Sequence, residues 1–170
     1  MSGVTITAGW SFSGGITITE APPPSENTAA WFGGGATPAT VSTVQRITYA
    51  TDTATATVRG PLSLARIALA AVGNTTDGWF GGGNPGYRTT VDRITYATDT
   101  ATASVRGPLS LGRYNLAAAG NTTDGWFGGG QPGYRTTVDR ITYATDTATA
   151  SVRGPLSGGK SGSAAAGGIQ

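Results

Sequence analysis

Cysteine, histidine and charge are absent or scarce in this chain, and each gap removes a class of function. With no cysteine, neither a disulfide framework nor thiolate chemistry is open to it. With no histidine, it lacks the commonest general base, the commonest metal ligand and any imidazole pH switch. Charged residues make up only 12% of the 170 positions, 11 basic against 9 acidic. The pI near 9.2 reflects that small difference and not a polybasic surface. Nucleic acids and anionic membranes are bound by clustered Lys and Arg, and no such cluster is present, so no nucleic-acid partner is expected. No stretch approaches the roughly 18 apolar residues of a membrane span, so membrane insertion is not expected either. The first ten residues lack the basic and apolar regions of a signal peptide. The expectation is synthesis in a cytoplasm, with any exit by another route.

What is present is repetition. Residues 46–56, Arg-Ile-Thr-Tyr-Ala-Thr-Asp-Thr-Ala-Thr-Ala, return almost verbatim from Arg93 and from Arg140, a period of 47. Trp-Phe-Gly-Gly-Gly occurs at Trp31, Trp79 and Trp126, and Arg-Gly-Pro-Leu-Ser at Arg59, Arg106 and Arg153. A fixed period of this size marks a propeller, solenoid or array, whose unit cannot bury its own apolar face. Within one unit, Val91 and residues 93–97 alternate apolar and polar side chains, as do residues 100–105. Both read as half-buried strands. Ala97-Thr98-Asp99-Thr100 between them predicts a tight turn. Residues 116–120 and 125–128, joined by Asn121-Thr-Thr-Asp124, predict a second hairpin. Gly107 and Pro108 cannot sit in a central strand, so residues 106–110 read as the loop between units. Four short strands per unit, without helical periodicity, predict an all-β chain of propeller blades.

These features resemble the kelch repeat. That pattern places a glycine doublet at the end of the second strand, a Tyr on the third, then a polar turn and a hydrophobic residue on the fourth. Gly81-Gly82-Gly83 resembles the doublet, Val91-Asp-Arg-Ile-Thr-Tyr96 the segment with the Tyr, and Thr98-Asp-Thr-Ala-Thr102 the turn and last strand. Pro108-Leu-Ser-Leu-Gly-Arg113 looks like the loop into the next blade, which in kelch proteins also carries an Arg. The large Trp often found on the fourth kelch strand is replaced by Ala101 or Ala103, and the bulk sits at Trp79 and Phe80 beside the glycines. The resemblance spans about residues 27 to 157. It implies a repeat signature of Trp31, Gly33 and Gly34; Trp79, Gly81 and Gly82; and Trp126, Gly128 and Gly129. The same signature takes in Arg46, Arg93 and Arg140 with Tyr49, Tyr96 and Tyr143.

The ends fit the scheme. Residues 27–33 supply a second strand without a first, and residues 158–167 align with the first-strand region 111–120 and then stop. The expectation for residues 27–170 is therefore three blades, with the C-terminal strand completing the N-terminal blade. Three blades fall short of the typical 4–8 of a closed propeller. A homodimer of six blades obeying two-fold symmetry is the simplest closed ring; an open stack, or a partner supplying the missing edge, are the alternatives. Residues 1–26 lie outside the repeat. Val4-Thr-Ile-Thr and Ile16-Thr-Ile-Thr19 are strand-like, and Pro22-Pro-Pro24 is a stiff spacer. Either a β-forming attachment arm or a disordered leader matches this composition.

Few residues suggest chemistry. Gly33-Gly-Gly35 and its copies are not followed by Gly-Lys-Ser/Thr or by a helix, so close backbone packing is expected in place of a phosphate loop. Asp52, Asp99 and Asp146 recur singly, which favours turn-capping over a calcium site. Asp92 has no acidic partner for paired catalysis and could face Arg93 or Arg88. Arg46, Arg93 and Arg140 are expected in buried or inter-blade hydrogen bonds. Tyr87-Arg88 and Tyr134-Arg135, in Pro-Gly-Tyr-Arg loops, are the binding candidates, since Tyr and Arg are enriched at interface hot spots. Structural loop packing is the alternative for them. The first unit has Ala36-Thr-Pro-Ala-Thr40 instead. Asn74-Thr-Thr76 and Asn121-Thr-Thr123 match the glycosylation sequon and are expected to be hairpin turns. No metal, no cofactor and no enzymatic activity are expected.

The Gly-rich leader, the Pro run and the Trp-Phe-Gly-Gly-Gly repeats together resemble structural proteins of tailed bacteriophages, especially cyanophages. That resemblance implies a virion accessory, such as a tail, neck or capsid appendage, contacting other virion proteins or a host-surface glycan. A free-standing lectin-like or protein-binding module, and a filament or lattice protein, are the alternatives.

Overall fold

Each repeat folds into one small antiparallel meander. The computed structural model describes residues 28–167; the expected arm at residues 1–26 lies outside them. In the first repeat, β1 (Ala29–Gly33), β2 (Val44–Thr48) and β3 (Thr57–Arg59) form a three-stranded sheet. In the second, β4 (Ala70–Gly73), β5 (Asp77–Gly81), β6 (Val91–Thr95) and β7 (Ser104–Arg106) pair in chain order. The third repeats this with β8 (Ala117–Gly120), β9 (Asp124–Gly128), β10 (Val138–Thr142) and β11 (Ser151–Arg153). The described chain is all-β apart from three single 3₁₀ turns, which open on Tyr49, Tyr96 and Tyr143. The register sets Trp31 opposite Arg46, Trp79 opposite Arg93 and Trp126 opposite Arg140.

The alternation in residues 100–105 overstates the last strand, which begins only at Ser104. The preceding segment bonds sideways to the neighbouring sheet and not to its own ladder. Gly60 N–H donates to Asp99 O at 2.8 Å, and Ala103 N–H to Pro61 O at 2.8 Å. One repeat later, Gly107 N–H donates to Asp146 O at 2.7 Å, and Ala150 N–H to Pro108 O at 2.8 Å. A 3₁₀ turn and this lateral stretch therefore stand where a tight turn was expected.

The hydrophobic core lies between sheets, not inside them. Val44 and Leu62 of the first sheet and the loop after it meet Phe80, Ile94 and Ala103 of the second. Val72, Trp79, Val91 and Leu109 of the second meet Phe127, Ile141, Tyr143 and Ala150 of the third. A meander this small has one apolar face and nothing of its own to cover it, so stacking supplies the burial. Each such Val, Leu, Ile or Phe contributes about 1.5–3 kcal/mol on full burial. Gly81 matters here by its small size: a Cβ at that position would stand 2.6 Å from the Phe127 ring. The C-terminal residues run along the third sheet, where Gly130 N–H donates to Lys160 O at 2.7 Å and Gly162 N–H to Asn115 O at 2.8 Å.

Candidate functional site

Two joints between sheets repeat one set of aromatic and charged side chains. In the second joint the Trp79 indole stacks on Tyr143, centroids 3.9 Å apart and planes 8° from parallel. Its N–H donates to Asp146 Oδ2 at 2.9 Å. The same oxygen accepts from Arg93 at 3.1 Å and lies 3.4 Å from Arg106 Nε. The first joint repeats this with Trp31 on Tyr96 (3.9 Å, 8°) and with Asp99 2.8 Å from the indole nitrogen. Arg46 and Arg59 complete it at 3.3 and 3.4 Å. Asp99 and Asp146 are thus buried acceptors for the preceding sheet, not the turn caps the sequence suggested. Burial, with lesser contributions from Asp77 and Tyr49, pushes the Tyr96 phenol up to about 12. Burial raises Tyr143 in the same direction.

A second pair of polar clusters was not anticipated. Arg66 and Asp92 form a fully buried ion pair at 2.8 Å. Arg66 also donates to the carbonyls of Gly82, Thr90 and Phe80, while the Ser63 hydroxyl donates to Asp92 at 2.7 Å. Arg113 and Asp139 repeat the arrangement at 2.8 Å, with Ser110 on the carboxylate. The clamp pins the loop leading into each of these sheets onto that sheet's own strands. Asp92 therefore faces neither Arg93 nor Arg88. Desolvation lowers both guanidinium pKa values, and the two carboxylates oppose that fall. The signal available in the sequence was the recurrence of Arg66 and Arg113 47 residues apart. Their partners, 26 residues onward in each case, could not be read from it.

The Tyr–Arg loops lie between β5 and β6 and between β9 and β10. Asn84–Pro85 and Gln131–Pro132 are cis, and Asn84 exchanges two backbone hydrogen bonds with Ile67 at 2.9 and 3.0 Å. The Asn84 and Gln131 side chains accept from Gly86 and Gly133, each at 2.8 Å. This scaffold holds Tyr87 and Tyr134 in the left-handed region, at φ 51° and 48°. Such a conformation costs about 1–3 kcal/mol for a non-glycine residue, persists only when its surroundings enforce it, and clusters at functional sites. Tyr87 is 51% exposed and Tyr134 67%. Tyr87 stacks on Tyr114, centroids 5.6 Å apart; the position 47 residues beyond Tyr114 is Ser161, and Tyr134 stands without that support. Arg88 is exposed and Arg135 half-buried. Among the described residues, no three Asp or Glu side chains converge on a common point.

Three meanders joined face to face define an all-β repeat protein of stacked small sheets. No protein-family model and no curated protein matches the sequence. Among solved structures, the chain is similar to that of YjhT, with a TM-score of 0.59 at 15% identity over 74% of this chain and 42% of that one. At this identity the likeness is one of fold, and the chain spans less than half the length of YjhT.

Proposed function

We propose that the chain is a non-enzymatic binding and structural protein, built from three kelch-like propeller blades, whose rim presents Tyr87–Arg88 and Tyr134–Arg135 to a surface glycan or protein. The observation that carries this reading is the strained, exposed placement of the two tyrosines. The other repeated aromatic and charged side chains are mostly taken up in joints and clamps, whereas Tyr134 stands outward without a stacking partner among the described residues and Tyr87 keeps half its surface open over Tyr114. Tyrosine offers a rigid ring for stacking on a sugar, and the neighbouring Arg offers a fork of donors for hydroxyl or carboxylate oxygens. The likeness of the leader and repeats to structural proteins of tailed phages supports placing the module on a virion, as a tail, neck or capsid appendage.

The test is binding of labelled protein to a glycan array and to host-cell envelopes. Wild type should bind with micromolar-class affinity, and Tyr87→Ala/Tyr134→Ala should lose at least about tenfold, the equivalent of 1.4 kcal/mol. Equal signal from both proteins would remove the loops from the reading. Detection of the chain in purified virions, and its loss on deletion of residues 1–26 with the propeller still folded, tests the virion placement.

A further inference from the structure

Each outer sheet of the described residues presents half a joint. At the N-terminal end, Phe32 and Tyr49 are 58% and 55% exposed, and Asp52 is exposed beside them. Their counterparts one repeat on, Phe80 and Asp99, are 4% and 7% exposed because the first sheet covers them. At the C-terminal end, Trp126 is half-buried and Arg153 exposed. Arg93 bridges Asp77 of its own sheet and Asp146 of the next, whereas Arg140 reaches only Asp124 of its own sheet among the described residues. Arg153 has no ion-pair partner among the described residues, while its counterparts Arg59 and Arg106 lie 3.4 Å from Asp99 and Asp146.

The steric fit runs the same way. The sites of Gly33 and Gly81 are filled by Phe80 and Phe127 of the following sheet, but Gly128 has no ring against it. In its place is a mainly apolar hollow of about 230 Å³, lined by Trp126, Gly128, Val138 and Leu156 and, from the C-terminal residues, by Lys160 and Ser163. An apolar cavity of ~150 Å³ already accepts benzene, so a phenyl ring of the Phe32 kind fits. Gly107 packs so tightly on the Ala148 carbonyl that a Cβ would overlap it, yet Gly154 has nothing within 4 Å.

We propose that these ends are the two halves of one joint, and that a second copy of this chain docks head to tail across them. Phe32, Tyr49 and Asp52 of one copy meet Gly128, Trp126 and the Arg140–Arg153 pair of the other. The inference rests on reading the sheets as blades of one array. The template is the pair of joints already inside the chain, and the charges are complementary, one carboxylate facing two guanidinium groups. A heterologous contact of this kind closes into a ring when its rotation permits.

The experiment is absolute mass by light scattering on the full chain and on variants of each end. Wild type should run at twice 17.0 kDa or above. Asp52→Arg alone, and Arg153→Glu alone, should each run as monomers with an unchanged far-UV spectrum, because Asp52 and Arg153 are exposed. Mixing the two variants should restore a 1:1 species, since one intact end of each sort is present. Gly154→Val should also release monomers. A monomeric wild type at every concentration overturns the proposal, as does an assembly that survives Asp52→Arg or that mixing fails to restore. Tyr87→Ala/Tyr134→Ala should keep the wild-type mass, so failure of the loop reading and failure of this one are told apart.

Discussion

The Trp79 indole of the second sheet lies flat on the Tyr143 ring of the third, and its N–H reaches Asp146 2.9 Å away. One side chain thus supplies both a stacking face and a hydrogen-bond donor to the joint. Trp79 is 1% exposed, so its removal leaves a void that the two flanking sheets cannot fill without moving.

Trp79→Ala is expected to cost about 3–5 kcal/mol, as for other buried aromatic truncations. Trp79→Phe keeps a ring on Tyr143 but loses the bond to Asp146, which retains its arginines, and part of the indole's volume; about 1–3 kcal/mol is expected, less than for the alanine variant. Urea unfolding of both variants checks this, and equal losses would mean that stacking of the remaining ring on Tyr143 adds nothing to the joint.

The clamp is asymmetric to mutation. Removing Asp92 alone leaves the Arg66 guanidinium buried without its counter-charge, and a loss of about 3–5 kcal/mol is expected. Arg66→Met/Asp92→Leu removes both charges and should lose less than the two single changes summed. A double-mutant cycle by chemical denaturation measures the difference; strict additivity would show that the pair does not act as a unit.

Two loop glycines should respond in opposite ways. At Gly107 a Cβ would overlap the Ala148 carbonyl of the next sheet, whereas at Gly158 it would meet nothing within 4 Å. Gly107→Ala is expected to lower the thermal midpoint clearly, since overpacking of this kind costs about 1–3 kcal/mol. Gly158→Ala should leave the midpoint unchanged or slightly raised. A calorimetric scan of each variant reports both.

Stability should fall in alkali. The Tyr96 phenol is held at about 12 by burial against an ordinary 10.0, so the unfolded chain releases that proton first. The stabilisation is complete below pH 10.0 and is lost as pH rises towards about 12, because there the unfolded state binds fewer protons. Tyr143 adds in the same direction. Tyr96→Phe should flatten the decline measured by urea titration at pH 8, 10 and 11; an unchanged slope would exclude Tyr96 from it.

Much of the fold was legible because its signals are local. The alternation of Val91, Arg93, Ile94 and Thr95 appears as β6, and Asn121 accepts from the Thr123 and Asp124 amides in the hairpin turn its sequence suggested. The sequence could not show what the alternation of residues 100–103 was for. It serves the neighbouring sheet, and period-two patterning states that a side chain is covered without saying by what.

The candidate site divides along the same line. Tyr87 and Tyr134 were legible as polar-loop aromatics, but their left-handed backbone and their exposure follow from the scaffold around Asn84 and Gln131.

The sequence by itself determined the unit, the number of copies and the poverty of catalytic groups, since repetition and composition need no geometry. Only the tertiary structure decided which unit's Trp meets which unit's Asp, that Arg66 closes on Asp92, and that the core lies between sheets. Those are contacts across tens of residues, and they are set by which face of each small sheet is left uncovered until its neighbour stacks upon it.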